Sequence, residues 1–392
     1  MHLSCVDCAT VHPPGMLYSC ARCGGILEVV DPVPVRPDCV VTLGEGATPL
    51  HRADRLASAI GFAGRVLVKD ETVNPTGSFK DRAVAAAVSR ARDMGMAGIV
   101  CASSGNAGAS AAAYAARAGL PAVVVVPTHT PAEKMTQIAA YGALLLQVDG
   151  NYSNSYRVGL EIAERHRFAN VTTTYINPWG VAGLDSAGAE LCADGTLPDW
   201  VLVPTGAGPL VKGVAHGCRA ASGGRVPRLA AVQAEGCAPI ARAFAAGERR
   251  VAAWGTVTTF ASGISDPLVG YERDGTHTLD IVHASGGVAI AVSDEAIRRA
   301  MRLLARCEGI LAEPTGAASV AALVALAADS RIPPGANVVC MVTGHGFKDL
   351  KVWREMPAMT HRLAPGEDPG ARIAALVAET ADQSPLARLA AS

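Results

Sequence analysis

The chain has 392 residues, half of them apolar and only 4% aromatic, and 34 basic against 35 acidic side chains leave a net charge of −1. That length allows two domains around a large core, and the apolar fraction excludes a disordered chain. Near-neutral charge leaves no electrostatic footprint for nucleic acid or for an anionic membrane, so the expected partner is a small molecule.

The N-terminus, MHLSCVDC, lacks a basic region followed by an apolar run, so no secretory leader is expected. Cys5-x2-Cys8 and Cys20-x2-Cys23 stand eleven residues apart, a spacing that suits four thiolates around one structural Zn²⁺. SCARCGGILEV reads like a zinc-ribbon knuckle, with glycines after the second pair to permit the turn. Four free buried thiols, or disulfides, are the alternatives. Eleven cysteines, an odd number with seven scattered singly, suit a reducing cytoplasm, which disfavours the disulfides. This module is expected over residues 1–40, closed by the proline-rich linker DPVPVRPD.

Beyond the linker, short apolar runs alternate with alanine-rich helical stretches. RVLVKD, GIVCAS, AVVVVP, LLLQVD, DWVLVPT, RLAAVQA and NVVCMVT are the predicted strands. Helices are predicted to begin near Lys80, Gly105, Pro131, Ser153, Gly183, Gly208, Ser293 and Thr315. Continuous apolar strands with intervening helices imply an α/β fold whose parallel sheet is covered on both faces. Cys101 and Cys340 fall in predicted core strands and read as small buried hydrophobes. The longest apolar candidate, ASAAAYAARAGLPAVVVVP, is broken by Arg117 and Pro121, so no membrane span is expected. From residue 352 the chain reads as a C-terminal arm carrying a helical segment, ARIAALVAETA.

In such folds ligands sit at the carboxyl ends of strands, where loops lead into helices. CASSGNAGAS, PTGAGPLVKG, EPTGAAS and VTGHGFKD are loops of that kind. PTGAGPLVKG is the best phosphate cradle, because its glycines let backbone N–H groups approach an anion at a helix start. Such glycines also serve plain tight packing. A dinucleotide fingerprint fits poorly, since Val211 stands where a third glycine belongs, and no P-loop occurs. Lys80 follows the turn Asn-Pro-Thr-Gly-Ser, which fixes the backbone before it. A lysine so placed beside a phosphate site can form a Schiff base with pyridoxal phosphate. A solvated lysine in a first helical turn is the plainer alternative.

These stretches, taken together with LGEGATPL and VKDETVNPTGSFKDR, resemble the threonine synthase branch of the fold-type-II (tryptophan synthase β-like) pyridoxal-phosphate enzymes. The resemblance runs in order from residue 43 to 349, and the cysteine module matches too. It implies two parallel-sheet α/β domains, with a large domain over 41–83 and 181–351 and a small one over 84–180. It also implies a homodimer acting on a small amino-acid substrate. Carried over by residue, Lys80 would bind the cofactor and serve as acid and base, and Phe79 would pack near the cofactor ring. Asn106 would hold the phenolic oxygen, Gly206, Ala207, Gly208 and Leu210 the phosphate, and Thr343 the pyridine nitrogen. A neutral hydroxyl at that nitrogen favours elimination or replacement over transamination. Ser103, Ser104, Gly105 and Ala107 would meet the substrate.

Two positions depart from the family. It typically has threonine where Ala107 stands and arginine where Gly180 stands, and both groups serve a substrate phosphate. Glycine cannot supply the bidentate contact of an arginine. Lys134, Arg157 and Lys212 are the candidate substitute cations, each otherwise a solvated helix residue. His345 within TGHG is either catalytic or part of a loop that closes over the cofactor. The expected activity is a threonine synthase-like elimination or replacement at an oxygen-linked leaving group. Threonine synthase itself, a serine/threonine ammonia-lyase, a non-catalytic regulator and a nicotinamide enzyme are the rivals.

Overall fold

The computed structural model describes residues 1–150, 152–355, 362–371 and 373–374. Most of the expected C-terminal helix lies outside the described residues.

Three short strands, β1 (His2–Cys5), β2 (Val11–His12) and β3 (Leu27–Val30), form an antiparallel sheet in the order β2-β1-β3. Two larger sheets follow. One gathers β4 (Leu50–Arg52) and β5 (Arg65–Asp70) from the early chain. The other holds β6 (Gly98–Ala102), β7 (Ala122–Pro127), β8 (Leu144–Val148) and β9 (Phe168–Asn170), in the order β8-β7-β6-β9 and wholly parallel. The chain then returns to the first sheet with β10 (Trp200–Pro204), β11 (Arg228–Ala234), β12 (Val288–Val292) and β13 (Asn337–Val342). That sheet is ordered β12-β11-β10-β13-β5-β4, and only β4 runs antiparallel to its neighbour.

All seven predicted strands are present, and β5, β6, β10, β11 and β13 are buried throughout or in every residue but the first. β10 shows the cause: all five residues of WVLVP are buried, because helices cover both faces. Within β5, Val66 and Val68 face one core cluster and Leu67 the other, as the two-residue period of a strand requires. β4, β9 and β12 carried too little signal to be predicted. β4 is three exposed residues, β9 only three residues long, and β12 an edge strand.

The helix expected near Gly183 is two short helices, Pro178–Gly183 and Asp185–Leu191. The first packs on the helix Lys80–Asp93: a Cβ on Gly180 would stand 3.2 Å from the Ala83 carbonyl and 3.6 Å from the Ala87 methyl. Gly180 is therefore a packing residue in a close helix contact. That close contact gives a packing reason for a small residue at Gly180, alongside the expectation that an arginine is missing there.

Candidate active site

The turn before Lys80 is tied down at each end. The Thr76 N–H and hydroxyl donate to the two oxygens of Asp81 at 2.7 and 2.6 Å, closing the turn over the first residues of the helix Lys80–Asp93. On the other side, Phe79 N–H donates to the Thr343 carbonyl at 3.0 Å, and His345 N–H donates to the Gly77 carbonyl at 2.9 Å. Arg82 anchors the same helix from below. Its guanidinium lies between Glu71, at 2.7 and 2.8 Å, and Glu190, at 2.6 and 2.8 Å. The residues flanking Lys80 thus hold its backbone on both sides.

Lys80 looks into a cavity of about 950 Å³ between the carboxyl ends of the two parallel sheets. Its ammonium donates to Thr173 Oγ1 at 2.6 Å and lies 4.7 Å from the centre of the Phe79 ring. Burial lowers its pKa to about 8, against the opposing pull of Cys101, Asp266 and Glu313. A lysine so perturbed, in a cleft, is a candidate nucleophile.

Phe79, Lys80, Ser103, Ser104, Gly105, Asn106, Ala107, Gly206, Ala207, Gly208 and Leu210 all line this cavity. Gly208 has φ +109°, and a Cβ there would collide with Thr278, so only glycine fits. The Thr278 hydroxyl donates to the Ala207 carbonyl at 2.6 Å, and the Tyr175 hydroxyl donates to the Gly208 carbonyl at 3.1 Å. The helix Pro209–Ala221 begins here, and its first-turn N–H groups have no intrahelical partners. Its dipole adds a fixed positive end. A helix start of this kind can hold an anion.

Thr343 lies directly behind the cavity wall, its carbonyl accepting from the N–H of the wall residue Phe79. It is 1% exposed at the end of β13, and among the described residues its hydroxyl has no hydrogen-bond partner. Asn106 opens the helix Asn106–Ala118 and donates to Glu313 Oε1 at 2.8 Å. Burial raises the Glu313 carboxyl to about 7. Of the three substitute cations, only Lys134 lines the cavity. Lys212 is buried and 3.8 Å from Glu28, not solvated, and Arg157 is exposed and 3.6 Å from Glu161. His345 is on the wall. Cys101 and Cys340 are fully buried, as expected.

Sequence reasoning missed Thr173, Asp266, Glu313 and Lys348, which also line the cavity. Glu313 and Lys348 stand inside two of the flagged loops, EPTGAAS and VTGHGFKD, and position in those loops was the available signal. Asp266 and Thr173 had none, because each comes to the cavity from an irregular segment.

In the N-terminal sheet module, the sulfurs of Cys5, Cys8, Cys20 and Cys23 all lie within 4.8 Å of one another. Their separations include 3.5 Å for Cys5–Cys23 and 3.7 Å for Cys8–Cys20, so none is a disulfide.

Comparison with known proteins agrees with this geometry. A family model described as pyridoxal-phosphate dependent enzyme matches residues 41–344. The chain is 33% identical to the threonine synthase of Methanosarcina acetivorans over 379 residues, covering 89% of this chain and 92% of that protein. It is 36% identical to the threonine synthase of Synechocystis over 339 residues, with 84% and 85% covered. Among solved structures, maize serine racemase shares the fold, with a TM-score of 0.68 at 24% identity over 79% of this chain and 92% of that one.

Proposed function

The chain belongs to the pyridoxal-phosphate-dependent enzymes and to their threonine synthase branch, as a lyase, and on that premise we propose that Lys80 carries the cofactor and moves the substrate's α proton. The observation that carries this reading is Lys80 itself, aimed into the cavity by a doubly tethered turn and lowered to about 8 by burial.

The residues present fit the cofactor. Gly206, Ala207, Gly208 and Leu210 would offer N–H groups to its phosphate, in a cradle that a Cβ at Gly208 would fill; Pro209 offers none. Asn106 would hold the phenolic oxygen, and Phe79 would pack against the ring. The Thr343 hydroxyl, buried and unpartnered among the described residues, would meet the ring nitrogen. Ser103, Ser104, Gly105 and Ala107, at the start of the helix Asn106–Ala118, would receive the substrate, with the helix dipole favouring a carboxylate. When bound, the cofactor supplies an electron sink for charge formed at the α carbon. Lys80, neutral above about pH 8 when free, can take the α proton and return it.

The activity in this reading is elimination or replacement at a β or γ oxygen substituent. Release of the product as a keto acid is the second reading, favoured by the methyl group of Ala107 where a phosphate-binding hydroxyl would serve threonine synthase proper. Borohydride treatment of the yellow protein followed by peptide mapping tests the core of the proposal. The label is expected on Lys80, and a label elsewhere would refute it. A Lys80→Ala variant is expected to lose both label and turnover.

The four-cysteine cluster supports a structural Zn²⁺ bound by Cys5, Cys8, Cys20 and Cys23. Zn–S bonds of about 2.3 Å in a tetrahedron place sulfurs roughly 3.8 Å apart, close to the separations found. A Cβ on Gly25 would stand 2.6 Å from Cys5 Sγ, so this turn admits only glycine around the cluster. The two parallel sheets support a large domain over 41–83 and 181–351 with a small domain over 84–180. The homodimer and the cytoplasmic location belong to the same reading. Among the described residues no helix is long and apolar enough to cross a membrane.

A further inference from the structure

Two side chains behind the glycine loop belong to no motif considered above: Gln233 in β11 and Thr278 in the helix Glu272–Ala284, both 0% exposed. The Thr278 hydroxyl donates to the Ala207 carbonyl at 2.6 Å. The Gln233 carboxamide donates to the Gly206 carbonyl at 3.4 Å. That carboxamide is itself oriented, because its Oε1 accepts the Ile240 and Ala241 N–H groups at 2.8 and 3.0 Å, which leaves Nε2 to face the loop.

A trans peptide is planar, and its N–H points opposite to its C=O. Holding the Gly206 carbonyl on Gln233 therefore turns the Ala207 N–H away from Gln233. Holding the Ala207 carbonyl on Thr278 does the same for the Gly208 N–H. Gly206, Ala207 and Gly208 line the cavity while Gln233 and Thr278 stand behind them, so both N–H groups are turned to the cavity side. Neither donates to another group among the described residues. The next peptide is anchored too. The Gly208 carbonyl accepts from the Tyr175 hydroxyl at 3.1 Å and from the Lys212 N–H at 3.3 Å, and Pro209 gives that peptide no N–H. Gly208, at φ +109°, thus sits between two fixed peptide planes.

We infer that Thr278 and Gln233 are positioning residues for the cofactor's phosphate, aiming the Gly208 and Ala207 N–H groups before the phosphate arrives. This rests on the cofactor reading above. Donors aimed in advance need no reordering on binding, so the gain falls on the phosphate and not on the rest of the cofactor.

The test uses the full-length apoprotein, titrated with pyridoxal phosphate and, separately, with pyridoxal, which lacks the phosphate. Thr278→Val keeps the side chain's shape and removes its hydroxyl. It is expected to lower the affinity for pyridoxal phosphate about 10-fold or more, the size of a hydrogen bond to a charged group, while pyridoxal binds nearly as before. It is also expected to shift the phosphorus NMR resonance of the bound cofactor. Thr278→Ser, which keeps the hydroxyl and loses the methyl, is expected to restore both the affinity and the resonance. Gln233→Met is expected to act as Thr278→Val does, through the Ala207 N–H. An affinity ratio unmoved by these substitutions overturns the inference, and so does an equal loss for both ligands. A Thr278→Ser protein as weak as Thr278→Val also overturns it, since packing of the methyl group would then be the cause. A wild type with no preference for pyridoxal phosphate over pyridoxal would overturn the cradle reading itself, which separates the two failures.

Discussion

The Asn106 carboxamide donates a 2.8 Å hydrogen bond to Glu313, joining the first residue of the helix Asn106–Ala118 to the residue that precedes the helix Pro314–Ala328. One helix packs against the four-stranded sheet and the other against the six-stranded sheet, so this bond crosses the cavity between them.

That bond has a pH signature. The Glu313 carboxyl is raised from the ordinary 4.5 to about 7, chiefly by burial. Between those values the folded chain holds a proton that the unfolded chain has lost, so stability falls as pH rises from about 4.5 to about 7. Glu313→Gln keeps an acceptor for Asn106 and removes the titration. Melting temperatures from pH 4 to 8 should show the variant gaining on the wild type through this window, by about 3 kcal/mol at the end. Parallel profiles would refute the assignment.

Arg82 is the second test. Its side chain is 1% exposed between Glu71, at 0%, and Glu190, at 23%, with Lys69 also 2.6 Å from Glu190. Removing one partner of a buried charge cluster leaves the other charges uncompensated, at a cost of about 3–5 kcal/mol. Arg82→Leu should therefore lower the urea midpoint strongly. Adding Glu71→Gln should restore part of the loss, because it removes the stranded carboxylate. No rescue would mean that lost packing, and not stranded charge, dominates.

Gly208→Ala should weaken the phosphate cradle at its tightest point. The added methyl meets Thr278 while the backbone holds φ at +109°. Titration of the apoprotein with pyridoxal phosphate should show at least a 10-fold loss of affinity, whereas pyridoxal, which lacks the phosphate, should bind nearly as before. An equal loss for both would mean that the substitution disturbs the whole site.

The cysteine cluster predicts about one zinc per chain by metal analysis. Cys20→Ser should lose the metal, and a strong chelator should lower the melting temperature. The module's Glu28 lies 3.8 Å from Lys212 and 3.6 Å from His277, in helices behind the cradle, so its loss should be felt there too. A metal-free chain of unchanged stability would leave four plain thiols.

Much of this protein was legible in its residues. Runs such as RVLVKD and WVLVP are apolar at every second position on both faces, and only a strand buried between helix layers tolerates that. The turn before Lys80, the glycines before Pro209 and the paired cysteines each act over a few neighbouring residues, so local sequence carries their meaning. β9 and β4 were illegible for the opposite reason. They are three residues each, and they exist as strands because a neighbouring strand offers them a ladder.

Tertiary structure alone decided what surrounds the lysine. Asp266 is 186 residues from Lys80 in sequence and Glu313 is 207 from Asn106, and no local pattern marks either meeting. It also showed the close helix approach at Gly180, where a Cβ would stand 3.2 Å from the Ala83 carbonyl. Sequence determined that Lys80 would follow a tight turn and open a helix, since short-range sterics and periodicity set both. Which charges face that lysine depends on long-range packing, which brings Asp266 and Glu313 to the same cavity.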